Sequence, residues 1–248
     1  MTVAELGIPF GAAVVAGVLN SAAGGGSFLS FPALLFVGFP PIVANATNST
    51  AMWVGNIGSI GGFREDLDLR DRELIATATI SVIGSMLGAI VLLHTSERLF
   101  AHAIPYLLGF ATLVFACSPL FVGARPAGGR EYRTLNAVSL FFASLYGGYF
   151  GAGVGIVIIA LYSVTTHLAF ARINARKNVL AFFINGAAVV PFALARVVDW
   201  REAAIMAAGA VIGAYGGAHV IRRLPQIVAR ATVVAIGIGM TAYFFLHG

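Results

Sequence analysis

Residues 44–56 read ANATNSTAMWVGN, and they place three asparagines and several hydroxyl side chains in a chain that is otherwise strongly apolar. Asn45, Asn48, Met52 and Asn56 recur with the spacing i, i+3, i+7 and i+11, which predicts one amide-bearing face of a helix. Of the 248 residues, 59% are hydrophobic and 10% are charged, a composition typical of an integral membrane protein. Because amides are costly in contact with lipid, we expect this face to point toward the protein interior.

Long apolar runs continue through the rest of the chain, several of them near the roughly 20 residues that a membrane-spanning helix needs. They indicate helices, because the strands of a membrane barrel would alternate polar and apolar residues. The first run lacks the basic residues of a cleavable signal peptide, so it is predicted to be a retained helix. The later runs cover residues 74–93, 99–122, 135–150, 179–195, 203–221 and 227–246.

The sequence contains an internal repeat: residues 23–89 match residues 152–218 at 15 of 67 positions without a gap. The matches include glycines and polar residues: Gly24 with Gly153, Gly26 with Gly155, Asn45 with Asn174, Asn56 with Asn185, and Glu73 with Glu202. Each half has a long apolar segment, a glycine-rich break, a short apolar segment, a helix that opens on the asparagine motif, and two more helices. This pattern predicts a first repeat at 1–122, a cytoplasmic linker at 123–134 and a second repeat at 135–248.

Five segments in each half give the two halves opposite orientations across the membrane. With the N-terminus outside, the loops at 63–73, 123–134, 167–177 and 222–230 lie inside and carry three Lys or Arg residues each. The outside loops hold only Arg98, Arg196 and Arg201, whereas a parallel four-plus-four arrangement would divide the positive charge more evenly. The positive-inside rule therefore favours an all-α, polytopic bundle of two inverted repeats, with both chain ends outside.

The short segments at 27–37 and 156–166 have 11 residues each. At 1.5 Å per residue they cannot span about 30 Å of hydrocarbon, so each is predicted to form half of a re-entrant hairpin with the glycines at its tip. Whether these segments cross fully or turn back stays open. Non-helical backbone at that depth must be enclosed by protein or line a wet cavity.

The second half carries a matching polar face and two positive charges. Asn174, Asn178 and Asn185 share this face, and Arg176-Lys177 replaces Thr47-Asn48. Two helix starts that meet beside glycine breaks near the midplane would form an anion site, because their N–H groups are unpaired and their dipoles are positive. Two structural alternatives stay open: the amides satisfy the broken backbone, or the two cations reach to the cytoplasmic surface.

Catalytic and metal chemistry find little support in the sequence. The five histidines are scattered and the single cysteine, Cys117, lies in an apolar run, so no catalytic residue, metal site or cofactor is predicted. The chain has a net charge of +5, which lies mostly between the apolar runs and indicates orientation, not a nucleic-acid partner. No Asp or Glu lies in the middle of an apolar run, which argues against a conventional carboxylate proton relay.

Three stretches carry a resemblance to a known family: NSAAGGGSFLSFPALLFVGFPPIVANATN at 20–48, YGGYFGAGVGI at 146–156 and INARKN at 173–178. With them the whole chain resembles the sulfite exporter TauE/SafE family of bacterial membrane transporters. The resemblance implies a multi-pass inner-membrane permease for sulfite, organosulfonates or related small sulfur-containing or carboxylate anions. The family's motif positions here are Gly24, Gly25, Gly26, Pro32, Asn45, Ala46, Thr47, Asn48, Gly151, Gly153, Gly155, Asn174, Lys177 and Asn178. Leu161 stands where the first half has Pro32.

The leading hypothesis is a secondary transporter that exports a small anion by alternating access at a midplane site between the repeats. A passive anion channel or uniporter is the alternative. A membrane-embedded enzyme would require catalytic features that the sequence lacks. The identity of the coupling ion stays open, and a proton is one option. The oligomeric state also stays open, and a homodimer is one option. The predicted substrate-binding residues are Gly24, Gly25, Gly26, Asn45, Thr47, Asn48, Asn56, Gly153, Gly155, Asn174, Arg176, Lys177, Asn178 and Asn185.

Overall fold

A computed structural model describes residues 3–22, 24–62, 67, 71–122, 133–221 and 226–247. Within these ranges, the side chains of residues 3–6, 22, 62, 118–122, 133, 170, 218–221, 226–230 and 247 are outside the description. Residues 123–132 of the predicted linker, and residues 63–66, 68–70 and 222–225 of the predicted inside loops, therefore lie outside the described residues. The division into two repeats stays a prediction.

The described residues form ten α-helices and no strand, so the predicted all-α class is confirmed for them. Two of the helices are short and follow the glycine-rich breaks, as the sequence predicts. The helices are α1 Val3–Ala22, α2 Ser27–Phe36, α3 Pro41–Gly62, α4 Arg72–Leu93, α5 Glu97–Val122, α6 Arg133–Tyr149, α7 Val154–Thr165, α8 Phe170–Leu194, α9 Trp200–Ile221 and α10 Gln226–His247.

Helix starts follow ordinary capping chemistry. Pro41 is the first residue of α3, where its missing N–H costs nothing. The carboxylate of Asp71 accepts a 2.9 Å hydrogen bond from the Glu73 N–H and so caps α4. At the start of α9, the carboxylate of Asp199 accepts from the Glu202 N–H at 2.9 Å. Each capping acid thus fixes the direction in which its helix begins.

The two glycine breaks have the same backbone conformation. Gly24 has a φ of 82° and its repeat counterpart Gly153 has a φ of 79°, in the left-handed region that favours glycine. After the first break the chain folds back, because Gly26 lies against the backbone of Ala16. After the second break, Val154 lies against Gly147. Each short helix therefore begins beside the long helix that precedes it.

Glycine pairs set the closest helix contacts. Gly213 and Gly217 of α9 lie against the backbone of α1, and these two helices run parallel. Gly84 and Gly88 of α4 lie against the backbone of α6 in the same way. The predicted role of these pairs in close helix packing is confirmed. The first helix of each half thus packs on the fourth helix of the other half.

Equivalent helices of the two halves also contact each other and run in opposite directions. The ring of Tyr106 in α5 lies 5.1 Å from the ring of Phe245 in α10. Further along the same pair, Thr112 of α5 lies against Gly237 of α10, so the two helices are antiparallel. Helices α5 and α10 occupy equivalent positions in the predicted repeats, whose opposite orientation stays a prediction.

The outer surface of the bundle is apolar. Many large hydrophobic side chains are exposed on α4, α5, α6 and α9, which suits a lipid environment. Three helical segments among the described residues are long and apolar enough to cross a membrane: Arg72–Leu93, Glu97–Cys117 and Ala171–Leu194. The shorter apolar helices are Gly7–Ser21, Ser27–Phe36, Val154–Thr165 and Ala231–Leu246. These features describe a multi-pass helical membrane protein.

The core behind the breaks is aromatic. The ring of Phe150, directly before Gly151, lies 5.3 Å from the ring of Phe31 and 6.1 Å from that of Phe100, both in edge-on arrangements. Phe28 is also buried and lies against Gly153. These rings fill the space between α2, α5 and the second break, so rigid aromatic side chains pack against the break on this side.

Candidate functional site

The two glycine breaks meet inside the bundle. A Cβ atom built on Gly24 would lie 2.9 Å from the carbonyl carbon of Gly155, and one on Gly155 would lie 3.0 Å from the Gly24 Cα. Both residues are buried. Only glycine permits this approach of two backbones, which explains why the first break and the start of α7 keep glycine at these positions.

Lys177 lies at this meeting point. A Cβ built on Gly155 would be 3.0 Å from the Lys177 Cδ, and the ammonium donates a 2.8 Å hydrogen bond to the Asn20 carbonyl at the end of α1. The side chain is 1% exposed. Among the side chains that the structure describes, no carboxylate pairs with it. The ammonium is thus a buried cation held by one backbone carbonyl.

Two asparagines reach across to the broken ends of the opposite half. Asn174 of α8 donates through Nδ2 to the Ser21 carbonyl of α1 at 3.3 Å. Its repeat counterpart Asn45 of α3 donates to the Tyr149 carbonyl of α6 at 3.2 Å. The two amides therefore do satisfy broken backbone, as one of the structural alternatives predicts. Each half terminates the broken helix of the other.

The same amides keep an unused acceptor. The Oδ1 atoms of Asn45 and Asn174 are buried and have no hydrogen-bond partner among the described residues. Asn178 is fully buried, and neither its Oδ1 nor its Nδ2 has a partner there. Buried polar atoms are nearly always paired in folded proteins, so a ligand or an ordered water is the expected partner of these atoms.

The remaining amides of the predicted set make contacts within the first half or near the second break. Asn48 accepts a 2.6 Å hydrogen bond from Ser30 of α2, and Asn56 accepts one of 3.0 Å from the Asn20 side chain. Asn185 lies beside Gly151, since a Cβ built on that glycine would be 4.0 Å from the Asn185 Oδ1. These three residues line the breaks without joining the Lys177 contact.

The other predicted glycines pack against apolar neighbours. Gly25 lies against Val233 of α10, and Gly153 lies against Ala111 of α5. Gly26 faces the Ala16 backbone. Their geometry serves the turn and the close packing of the breaks, and their part in substrate binding stays a prediction.

Arg176 lies apart from the meeting point, at the start of α4. Its guanidinium forms ion pairs with Asp71 and, at 3.2 Å, with Glu73. Its Cζ atom also lies 5.8 Å from the centre of the Tyr162 ring. The charge of Arg176 is therefore neutralised by α4, in contrast to that of Lys177, and its role in substrate binding stays a prediction.

Thr47 takes the equivalent position in the first half. It is buried, and its hydroxyl oxygen accepts a 3.0 Å hydrogen bond from the Asp199 N–H at the start of α9. Thr47 thus joins α3 to α9 as Arg176 joins α8 to α4. A substrate contact for Thr47 stays a prediction.

Several polar residues at the breaks are absent from the predicted set. Asn20 contacts both Lys177 and Asn56, and Ser30 contacts Asn48. Ser49 lies against Gly151. Asn20 could have been found from the sequence, because it is the last amide before the first break, in the stretch that carries the family resemblance. No group of His, Cys, Asp or Glu in the described residues could hold a metal ion.

The arrangement offers hydrogen-bond donors to a small anion. An ammonium carries three donors, and the Asn20 carbonyl uses one of those of Lys177. The amide nitrogen of Asn178 adds two unused donors beside it in the chain. An anion with several oxygens would both accept these bonds and neutralise the buried charge.

Comparison with known proteins places the chain in a family. Residues 9–244 match the family described as Sulfite exporter TauE/SafE. The chain is 26% identical over 237 residues to a "Probable membrane transporter protein" of Haemophilus influenzae, covering 96% of this chain and 93% of the relative. It is 28% identical over 246 residues to the "Probable membrane transporter protein YfcA" of Escherichia coli K12, covering 96% and 88%. No solved structure matches the chain.

Proposed function

The chain belongs to the sulfite exporter TauE/SafE family, and on that premise we propose that it is a secondary transporter that exports sulfite or an organosulfonate. The anion would bind where the two glycine breaks meet, against Lys177 and Asn178. Access to this site would alternate between the two faces of the membrane as the halves move against each other.

One observation carries the proposal: the buried ammonium of Lys177 has a single backbone carbonyl as its partner among the described residues. Burying an ammonium without a counter-charge is costly, and an anion bound beside Lys177 would remove that cost. A transported anion supplies the missing charge during each cycle. Asn178, the next residue of α8, is also buried with unpaired donors.

The alternating mechanism is supported by the packing of the helices. Helix α1 of the first half packs on α9 of the second half, and the equivalent helix α6 of the second half packs on α4 of the first. The equivalent helices α5 and α10 run antiparallel. These relations are those expected of two inverted repeats that enclose one site. The short α2 and α7, with 10 and 12 residues, fit re-entrant hairpins.

The location in the membrane follows from charge. We propose the bacterial inner membrane, with both chain ends on the periplasmic side, because the predicted inside loops carry most of the Lys and Arg residues. In that orientation the start of α4, with Arg176 and its acids, lies on the cytoplasmic side. The start of α9, with Thr47 and Asp199, lies on the periplasmic side.

The proposal is tested by anion uptake into proteoliposomes that contain the purified protein. Sulfite, sulfate, thiosulfate, taurine, sulfoacetate and simple carboxylates would be compared as labelled anions, with protein-free liposomes as the control. We expect saturable uptake of sulfite or a sulfonate. Uptake of none of these anions above the control would contradict the proposal.

A counterflow measurement separates the transporter from a passive channel. Liposomes loaded with unlabelled anion should accumulate the labelled anion transiently above its outside concentration if one site alternates between the two faces. A channel would only equilibrate the label, whatever the internal concentration. Equilibration alone would therefore replace the carrier mechanism with the passive one.

A further inference from the structure

A second buried charged group lies outside the anion site, at the start of α9. The side chain of Glu202 is 1% exposed, and neither of its carboxylate oxygens has a hydrogen-bond partner among the described residues. The sequence does not single it out, because it lies in the first turn of a helix and not in the middle of an apolar run. Its burial becomes visible only when α3 and α9 pack together.

The repeat supplies a comparison for Glu202. Its counterpart Glu73, in the first turn of α4, pairs with the guanidinium of Arg176 at 3.2 Å. The first-half counterpart of Arg176 is Thr47, which has no charge and whose oxygen accepts from the Asp199 N–H. The substitution of a threonine for an arginine thus leaves Glu202 without the cation that its counterpart has.

The groups that face Glu202 give its carboxylate no neutralising partner. Asp199 adds a second acid beside it, and Arg201, the adjacent basic residue, is exposed. The helices packed against α9 are α3 and α1. Neither α3 nor the described side chains of α1 include a titratable residue. Glu97, at the start of α5, accepts from the Ile42 N–H at the start of α3.

A carboxyl group in this setting is favoured in its neutral form, because an isolated carboxylate is costly to bury. We propose that Glu202 is a proton-binding site of the transporter, which takes up and releases one proton at the start of α9 during the cycle. The proton adds to one carboxylate oxygen and leaves to water, so no other bond changes. The inference rests on the proposed function for its place in a transport cycle.

A proton suits this place better than a metal cation. A sodium ion needs several oxygen ligands at once, whereas the Asp199 carboxylate is engaged by the Glu202 N–H and the Thr47 oxygen by the Asp199 N–H. The described residues also contain no acidic cluster that could hold a metal ion. The proton requires only the carboxyl group itself.

The first test needs no substrate. Thermal unfolding of the purified protein would be followed from pH 4 to pH 8 for wild type, Glu202→Gln and the matched control Glu73→Gln. The melting temperatures of wild type and Glu202→Gln should lie closest at pH 4, where the carboxyl is protonated in both the folded and the unfolded chain. By pH 8 wild type should have lost about 3–6 °C relative to Glu202→Gln, because the carboxyl ionises more readily in the unfolded chain than when it is buried and unpaired. A difference between the two that stays constant with pH would overturn the proposal. Glu73→Gln should melt below wild type, since it removes the acid that pairs with Arg176.

A labelling experiment on the wild-type protein covers the case in which Glu202→Gln fails to fold. Dicyclohexylcarbodiimide reacts with protonated carboxyl groups in apolar surroundings, and mass spectrometry locates the adduct. We expect modification at Glu202 that decreases as the pH rises, and none at Glu73. Equal modification of both acids, or none at Glu202, would contradict the proposal. A melting temperature of wild type that responds to sodium at constant pH would assign the site to sodium instead.

Transport then separates this inference from the proposed function. In proteoliposomes, Glu202→Gln should retain counterflow of sulfite but lose its acceleration by a pH gradient. If wild type moves none of the anions while the unfolding and labelling results hold, the proposed function fails and the proton site stands. If sulfite flux through Glu202→Gln follows the pH gradient as in wild type, the proton site fails and the transporter stands.

Discussion

The starts of α3 and α8 hold equivalent places in the two halves, and they differ in charge. Helix α8 carries Arg176 and Lys177, where α3 carries Thr47 and Asn48. Arg176 is neutralised by the acids of α4, and Lys177 by no described carboxylate. The first half has no cation at these positions and leaves Glu202 without a partner. A shared scaffold thus carries one unpaired cation at its centre and one unpaired acid at one end.

Substitutions at the glycine breaks test the backbone conformation that the two halves share. We expect Gly24→Ala to lower the free energy of unfolding by about 3 kcal/mol, because it adds the cost of a positive φ to a clash with the Gly155 backbone. Thermal unfolding would report it as a melting temperature lower by about 6–12 °C. The control is Gly38→Ala, which has a φ of 92° but open space around it, and it should cost only about 1 kcal/mol. Equal losses would show that the two breaks do not meet closely.

Removing the ion pairs that Arg176 of α8 forms tests the difference in charge between the two halves. We expect Arg176→Met to lower the free energy of unfolding by about 2 kcal/mol, because it leaves Asp71 and Glu73 without their cation. The estimate is below that for a fully buried pair, since the acids are 28% and 30% exposed. Chemical denaturation in mixed micelles would measure it. A change below about 0.5 kcal/mol would mean that the ion pairs of Arg176 contribute no more to stability than a typical surface contact.

The cross-half amides should behave alike. We expect Asn45→Ala and Asn174→Ala each to cost about 1–2 kcal/mol of unfolding free energy, because each leaves one buried carbonyl at a broken helix end unpaired. The same denaturation measurement applies to both. One costly and one neutral variant would mean that only one half relies on the other to terminate its broken helix.

The smallest effect is expected at the uncharged counterpart of Arg176. Thr47→Val keeps the shape of the side chain but removes the acceptor of the Asp199 N–H, and should cost about 1 kcal/mol. Its melting temperature would be compared with that of Arg176→Met. A loss larger than that of Arg176→Met would reverse the proposed difference between the two ends.

The sequence predicts the helices and the breaks well, because they follow from local patterns. The spacing of Asn45, Asn48 and Asn56 marks a buried helix face, and the glycine motifs mark the breaks at Gly24 and Gly153. The antiparallel contact of α5 and α10 also agrees with the charge argument for opposite orientations. Periodicity is sufficient for the helices and the breaks, and the opposite orientation of the two halves stays a prediction.

The partners of the polar side chains depend on packing between distant segments and cannot be predicted in this way. Arg176 and Lys177 are adjacent in sequence, yet one faces the acids of α4 and the other the end of α1. Glu73 and Glu202 both read as ordinary first-turn acids, and only the packing of α3 on α9 buries Glu202. A difference of one side chain in a neighbouring helix therefore decides whether the same acid is paired.

The central claim is that Lys177 binds the transported anion, and sulfite uptake by Lys177→Met in proteoliposomes tests it most directly. The control is Arg172→Met, which removes an exposed positive charge from the same helix. We predict that Lys177→Met lowers uptake about 10- to 100-fold, the effect of losing a charge-assisted hydrogen bond, while the protein remains folded. Arg172→Met should stay within about twofold of wild type. Unchanged uptake by Lys177→Met, or an equal loss in both variants, would contradict the claim.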